Sequence, residues 1–379
     1  MPRNDEDDGP DQNDLIGGIA SLAVSSKGGS LAVSSPDAPP PPSLPASFTA
    51  PDTTDSSTCG DPECNGDNDD ATGAGASSEN PAAFPPTGLP VVDDGRRRSL
   101  AELARKLSDG KLKKILVLSG AGISCSAGIP DFRTPGTGLY DNLQKYDLPF
   151  AEAVFDLDFY RRNPRPFVSL ARELWPRKRG GHKPTLAHCF LRLLERKGLL
   201  LRAYTQNIDG LEVLAGVSED KVFECHGHFR TASCIRCGAS YDGERCRGEM
   251  LGGDGTVPRC QKCTGYVKPD IVFFGESLPG KFFPLLKKDI KALGIGKGGL
   301  MIVMGTSLEV NPVASIPNMV RGCSRLLLNR ECVGNFVDRH VEGSKDLFLP
   351  CDCDDGVRYL CQLAGWEKDL DEIYNRIHS

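Results

Sequence analysis

The chain has 379 residues and a net charge of −6, yet residues 1–95 hold seventeen Asp and Glu against only Arg3 and Lys27, which leaves a basic body behind an acidic tail. The opening "MPRNDEDDGP" is too acidic for a mitochondrial presequence, no secretory signal follows it, and no apolar run approaches the ~18 residues of a membrane helix. Fifteen Cys in so long a chain without a secretory signal point to reduced thiols and a metal site rather than a disulfide scaffold, so a soluble protein of the cytoplasm and/or nucleus is expected.

Residues 1–97, rich in Pro, Ser, Gly and Asp and including "PDAPPPPSLP", cannot bury enough apolar surface to offset their ordering entropy and are expected to be disordered. A spacer is the plainer reading of this tail, and weak docking on the basic body the other. From residue 98 the pattern turns globular. "SLAELARKLSDG" (99–110) places Leu100, Leu103, Ala104 and Leu107 on one helical face and stops at Gly110. "KKILVLSGAG" follows as an apolar strand ending in glycines, and "KPTLAHCFLRLLERKG" (183–198) reads as a second amphipathic helix. "LLLRAYTQNID", "GLMIVMGTSLEV" (299–310) and "SRLLLNRE" (324–331) are buried strands with polar ends. "KDLFLPCDCDDGVRYLCQLAGW" reads as strand, acidic turn and helix. This alternation predicts an α/β fold: a Rossmann-like parallel sheet over 98–224 and 266–370, with 371–379 as a C-terminal end. Strands ending after Leu118, Tyr204, Met304 and Leu328 should bring "GAG", "TQNID", "GTS" and "NRE" to one crevice outside their carboxyl ends.

Between residues 225 and 268 Cys and Gly crowd together and long apolar runs vanish, which marks residues 225–265 as an inserted module. Cys234-x2-Cys237 and Cys260-x2-Cys263, 22 residues apart, read as four thiolates around one structural Zn²⁺. A redox pair and unrelated buried cysteines are the competing readings.

"GAGISCSAGIPDFR", "TQNIDGLE", "ECHGHF", "CIRC…CQKC" and "KPDIVFFGESLP…GTSLEV", in this order, resemble the sirtuins, the NAD-dependent protein lysine deacylases, over about residues 98–370. "GLYDNLQKYDLP" resembles the class I deacetylase-like subgroup. The resemblance implies transfer of acetyl from a protein lysine to the ADP-ribose of NAD⁺, releasing nicotinamide and O-acetyl-ADP-ribose. It also implies a cleft between a Rossmann-like and a zinc domain that holds the peptide.

The residues suit that chemistry. Gly120 and Gly122 let backbone approach a pyrophosphate and Ser124 can donate to it, although "GAG" alone would equally suit a tight turn. The resemblance adds Ala121 and Ile123 to this loop. It gives Asp131 the nicotinamide carboxamide, Phe132 the sugar carbon and leaving base, and Arg133 a phosphate, with Tyr140 beside them. Gln206 and Asn207 meet the nicotinamide-side ribose, with Ile208 alongside, and Asp209 helps hold the nicotinamide pocket. Gly305, Thr306 and Ser307 serve phosphate or ribose. Asn329, Arg330 and Glu331 lie toward the adenosine ribose, and Cys353 meets adenine through its backbone. Val272, Phe273, Phe274, Gly275 and Glu276 form the peptide groove, where one of the two Phe can be ordinary core. The resemblance makes His226 the general base and Asn207 its catalytic companion, and imidazole, which titrates near working pH, suits that task. His228 stands where the family usually has a small hydroxyl residue. "GTGLYDNLQKYDLP" lacks the arginine that succinyl-preferring members carry, so acetyl or a longer fatty acyl group is expected.

Acetylated protein lysines, of histones or cytoplasmic proteins, are the expected partners; no nucleic acid or membrane is, and oligomeric state is unreadable. Mono-ADP-ribosyl transfer needs the same cofactor cleavage, and an NAD-sensing scaffold would need no chemistry. Hydride transfer would leave "IPDFR" and "TQNID" without a role.

Overall fold

The computed structural model describes residues 90, 92–131, 143, 148–176, 181–252, 256–294, 296, 298–339 and 341–379. Nearly all of the expected tail lies outside these residues, and so do Phe132, Arg133, Tyr140 and most of the acyl-selectivity segment.

The first helix, α1 (Asp94–Ser108), starts earlier than its apolar periodicity suggests, because Asp93 accepts a hydrogen bond from the Arg96 N–H at 2.8 Å and caps it. Leu100, Leu103, Ala104 and Leu107 are buried on one face. Strand β1 (Lys114–Ser119) leads into the glycine loop. Two short helices follow, α2 (Leu157–Arg162) and α3 (Arg165–Leu174), and then α4 (Leu186–Arg196), capped by Thr185. Next come β2 (Leu200–Thr205), the single turn α5 (Leu211–Leu214) and β3 (Val222–Glu224). The cysteine-rich stretch forms β4 (Gly227–Cys234), β5 (Ser240–Asp242), α6 (Gly243–Leu251) and β6 (Val267–Ile271). The chain returns through α7 (Phe282–Leu293), β7 (Gly299–Met304), α8 (Ile316–Met319), β8 (Ser324–Asn329) and β9 (Asp346–Pro350). It closes with α9 (Cys353–Ala364) and α10 (Glu367–His378).

Six strands form one parallel sheet in the order β3-β2-β1-β7-β8-β9. Counted alone, they follow the Rossmann order 3-2-1-4-5-6, with the reversal between β1 and β7. Both faces are covered, and the side-chain period of two explains the unbroken apolar runs. Ile115, Val117, Leu300 and Ile302 face a core shared with α1, α4, α9 and α10. Leu116, Leu118, Met301 and Val303 face the opposite core under α7 and α8.

The second sheet, β5-β4-β6, is antiparallel. Its module reaches beyond residues 225–265. A cysteine knot with short strands cannot cover an apolar face by itself. Here Tyr160, Phe167 and Trp175, from the α2–α3 segment, join Phe229, Val267 and Phe273 in one cluster. Phe167 and Phe273 meet edge to face at 4.9 Å, and Trp175 lies 4.6 Å from Phe229.

Candidate functional site

The ends of β1, β2, β7 and β8 converge as the strand order requires. The loop after β1 folds onto the loop after β7: the Gly120 N–H donates to the Met304 carbonyl at 3.1 Å and the Gly122 N–H to the Gly305 carbonyl at 2.9 Å. A Cβ on Gly122 would lie 2.6 Å from Gly305 Cα, so contact within the protein alone demands glycine there. Thr306 is buried beside this contact, whereas Ser307 is exposed.

A polar network spans the crevice floor. The Gln206 amide donates to Thr306 Oγ1 at 2.8 Å. Asn207, 7% exposed, donates from Nδ2 to the Gly120 carbonyl and to Ser124 Oγ, both at 3.1 Å. Ser124 Oγ in turn donates to Asp209 Oδ2 at 2.7 Å, while Asp209 Oδ1 accepts the Leu211 N–H at 3.0 Å. Three segments distant in sequence are thus joined by charge-assisted and neutral hydrogen bonds. Ala121 is half-buried in the loop, Ile123 is fully buried under it, and Ile208 packs toward the module core.

His226 sits between β3 and β4. Its Nδ1 lies 2.9 Å from the Gln206 carbonyl, a pure acceptor, so Nδ1 carries the proton and Nε2 the lone pair. Nε2 is buried without a partner, and burial pulls the ring below the usual histidine range. Neutral imidazole with a free, directed lone pair is the form a general base needs. Gly227 makes the placement possible: its φ is +76° and a Cβ would lie 2.0 Å from the Asp270 carbonyl oxygen. His228 also carries a buried ring nitrogen, Nδ1, without a partner.

At the mouth, Asp131, Arg330 and Asp352 all lie within electrostatic reach of Cys125, whose thiol is pushed up by burial and by Asp131. Asn329 donates to the Glu331 carbonyl at 2.8 Å, with Glu331 itself exposed. Cys353 is buried at the start of α9 and its thiol is pushed far up by burial.

Along 272–276 the side chains divide. Phe273 is 1% exposed and belongs to the module core, whereas Phe274 is 41% exposed. The Val272 N–H donates to the His226 carbonyl and the Phe274 N–H to the Phe155 carbonyl, both at 2.8 Å. Gly275 takes a φ of +89°. The Glu276 carboxylate turns inward, accepting the Phe273 N–H and pairing with buried Lys268, each at 2.8 Å. It braces the segment rather than offering a charge to it.

Cys234, Cys237, Cys260 and Cys263 gather their sulfurs within 4.8 Å. Cys234 and Cys263 lie 3.5 Å apart, and Cys237 and Cys260 3.6 Å. A Zn–S bond of about 2.3 Å sets a tetrahedral S–S edge of about 3.8 Å, so the cluster fits Zn²⁺. The Tyr241 hydroxyl, 3.1 Å from Cys260 Sγ, and the Arg236 and Lys262 N–H groups hold thiolate charge. No disulfide joins the described cysteines.

Sequence comparison agrees with this geometry. The Sir2 family model matches residues 120–312. The NAD-dependent protein deacetylase hst2 of Schizosaccharomyces pombe is 47% identical over 277 residues, 73% of this chain and 79% of that protein. The NAD-dependent protein deacetylase sirtuin-2 of Danio rerio is 43% identical over 74% of this chain and 76% of its own length. The NAD-dependent protein deacetylase sirtuin-3 of Mus musculus is 45% identical over 74% of this chain and 80% of its own length. The chain belongs to the Sir2 family.

In this Sir2-family crevice the supporting residues escaped motif reading. Thr185 Oγ1 lies 2.8 Å from the Ile123 carbonyl, and Asp354 accepts Ser126 Oγ–H at 2.6 Å and the Ala187 N–H at 2.9 Å. These contacts tie the glycine loop to the starts of α4 and α9. Buried His188 and Glu212 lie beneath Asp209. In sequence, Thr185 falls within the stretch 183–198 read as an amphipathic helix and Asp354 in an acidic turn, and neither points to the glycine loop. No helix among the described residues is long and apolar enough to cross a membrane.

Proposed function

We propose that this chain is an NAD-dependent protein lysine deacetylase, which moves acetyl from lysine to ADP-ribose and releases nicotinamide. The observation that carries the reading is His226: a neutral ring with Nδ1–H fixed on Gln206 and a buried, unpartnered Nε2. A buried acceptor without a donor is costly, so a bound hydroxyl relieves it, and a ribose hydroxyl is the group this reaction must deprotonate. Gln206 and Asn207 are already oriented by the glycine loops to receive that ribose. The loops of Gly120, Gly122 and Gly305 with Ser124 and Thr306 hold the phosphates, and Asp131 and Asp209 flank the nicotinamide. Asn329, Glu331 and the Cys353 backbone take the adenosine end. Phe132, Arg133 and Tyr140 keep the roles that the family resemblance gives them. NAD⁺ supplies the electrophilic sugar carbon and the leaving group; the protein supplies orientation, a base and water exclusion.

The acetylated lysine enters along 272–276, with the extended peptide lying beside the exposed Phe274. Acetylated histones or cytoplasmic proteins are the proposed partners, in the cytoplasm and/or nucleus. The four-cysteine cluster, whose geometry suits thiolates on structural Zn²⁺, supports a reducing compartment. Mono-ADP-ribosyl transfer is less favoured, because it gives the His226 lone pair no acyl chemistry to serve.

The test is mass spectrometry of the protein with an acetyl-lysine peptide, with and without NAD⁺. Acetyl loss that depends on NAD⁺, with O-acetyl-ADP-ribose appearing, supports the reading. Nicotinamide release with acetyl-lysine intact overturns it in favour of ADP-ribosyl transfer or NAD hydrolysis.

A further inference from the structure

The segment 272–276 turns back on itself, and one buried ammonium lies under the turn. Lys268, in β6, is 4% exposed. Its Nζ donates to the Ile271 carbonyl at 2.7 Å and to the Pro269 carbonyl at 3.2 Å, and pairs with Glu276 Oε2 at 2.8 Å. An ammonium carries three protons, so these three acceptors use it completely. The Phe273 ring lies against it, its centroid 4.5 Å from Nζ.

The same carboxylate closes the turn. Glu276 Oε2 also accepts the Phe273 N–H at 2.8 Å, and the Glu276 N–H donates to the Phe273 carbonyl at 2.9 Å. Gly275, at a φ of +89°, lets the backbone reverse between them. The other contacts of the segment run outward from this fastening. The Val272 N–H donates to the His226 carbonyl at 2.8 Å, and Gly227 pairs with Ile271. The Phe274 N–H donates to the Phe155 carbonyl at 2.8 Å, and the Phe274 carbonyl accepts the Leu157 N–H at 3.1 Å. Phe273 is thereby turned into the module core and Phe274 out to solvent.

A buried ion pair is a poor source of net stability, because an apolar pair of the same volume does about as well without desolvating two charges. What the pair adds here is direction. Two of the three acceptors are main-chain carbonyls on either side of Asp270, and the third reaches back from beyond the turn. One ammonium thus fixes residues 269–276 relative to one another, which an apolar side chain has no means to do.

We propose that Lys268 is a positioning residue for the acetyl-lysine peptide: paired with Glu276, it sets the 272–276 turn and, through Val272, the register of that turn against His226. Its part in the reaction rests on the reading of 272–276 as the peptide side of a deacetylase site.

The experiment compares the full-length protein with Lys268→Met, with Glu276→Gln and with the double variant Lys268→Met/Glu276→Met. Lys268→Met keeps the side-chain length and loses all three bonds. Its KM for an acetyl-lysine peptide should rise by about tenfold or more, while the KM for NAD⁺, set by the loops of the large sheet, stays within about twofold. Glu276→Gln keeps an oxygen that can accept from both donors, so its peptide KM should rise by only about two- to fivefold. The double variant leaves no unpaired buried charge, so it should unfold at a higher temperature than Lys268→Met. It should nonetheless keep the raised peptide KM, because the Pro269 and Ile271 carbonyls have lost their common donor. If Lys268→Met does not fold, the double variant carries the kinetic test. A peptide KM that returns to the wild-type value in the double variant, or a KM for NAD⁺ that rises as much as that for the peptide, overturns the proposal.

A second readout needs no NAD⁺. Amide hydrogen exchange of the unliganded double variant should be at least about tenfold faster than wild type at Val272, Phe273 and Phe274, with the glycine loops after β1 and β7 unchanged. If the wild type shows no NAD-dependent reaction, faster exchange there still supports Lys268 as the residue that sets the turn, and the failure belongs to the deacetylase reading. Unchanged exchange at all three positions overturns the proposal whatever the reaction.

Discussion

The crevice and the four-cysteine module solve the same problem, bringing distant residues together, by opposite means. In the crevice, backbone does the joining: the loops after β1 and β7 touch directly, and Asn207, Ser124 and Asp209 close the floor with hydrogen bonds. In the module, the two cysteine loops are held by sulfur around a metal site, and the apolar support is borrowed from α2 and α3. The crevice is therefore joined by its own backbone, whereas the module's cysteine loops meet where four thiolates can share one ion.

The sharpest way to break this contrast is metal removal. Chelation, or Cys263→Ser, should unfold the module and abolish deacetylation while the parallel sheet persists; limited proteolysis with far-UV circular dichroism reads both. Loss of the whole fold would show that the module also holds the sheet together.

His226→Ala follows in size. Turnover should fall by about 10²–10⁴-fold with NAD⁺ affinity within a few fold, measured by single-turnover kinetics and calorimetry. Because burial lowers the His226 proton affinity, its base form survives below the ordinary histidine value. The acid limb of kcat/KM should accordingly lie below pH ~6.5.

Gly122→Ala probes the backbone joint itself. The added methyl meets Gly305 Cα, so stability should drop by about 1–3 kcal/mol in urea unfolding, with a raised KM for NAD⁺. The smallest effect is expected at the periphery of the crevice. Asp354→Asn weakens one of two hydrogen bonds, to Ser126 or to the Ala187 N–H, at about 1 kcal/mol in the same assay. A larger loss than that of Gly122→Ala would move the weight of the crevice from its backbone to its side-chain braces.

Much of the crevice was legible in sequence because a parallel strand covered on both faces announces itself as an apolar run, and its polar end must point outward. The expected ends after Leu118, Tyr204 and Leu328 fall within one residue of the observed ones. The cysteine pairs were legible because thiolate spacing follows metal geometry. The edge of the module was not, since Tyr160 and Phe167 carry no signal that distinguishes support of a distant sheet from any other buried aromatic. Glu212 closes the "TQNIDGLE" stretch, yet nothing in the sequence gives it a role of its own: a Glu there reads as a surface charge until the fold buries it. Asp93 could have been read, as an acid just before a helical run, and its cap explains why α1 begins at Asp94.

The passage from β3 to β4 consists of Cys225 and His226 alone. One end of this bridge is anchored in the large sheet and the other in the small one, where Gly227 pairs with Ile271. A residue inserted or deleted here would rotate the imidazole away from Gln206, and between the cysteine pairs β5 and α6 are fixed in their turn by pairing with β4 and by Cys246 and Met250 in the module core. Freedom to vary in length is thus shared out by the packing: none at the bridge, little through β5 and α6, and more after Leu251, a border that insertion scanning across 222–262 would trace.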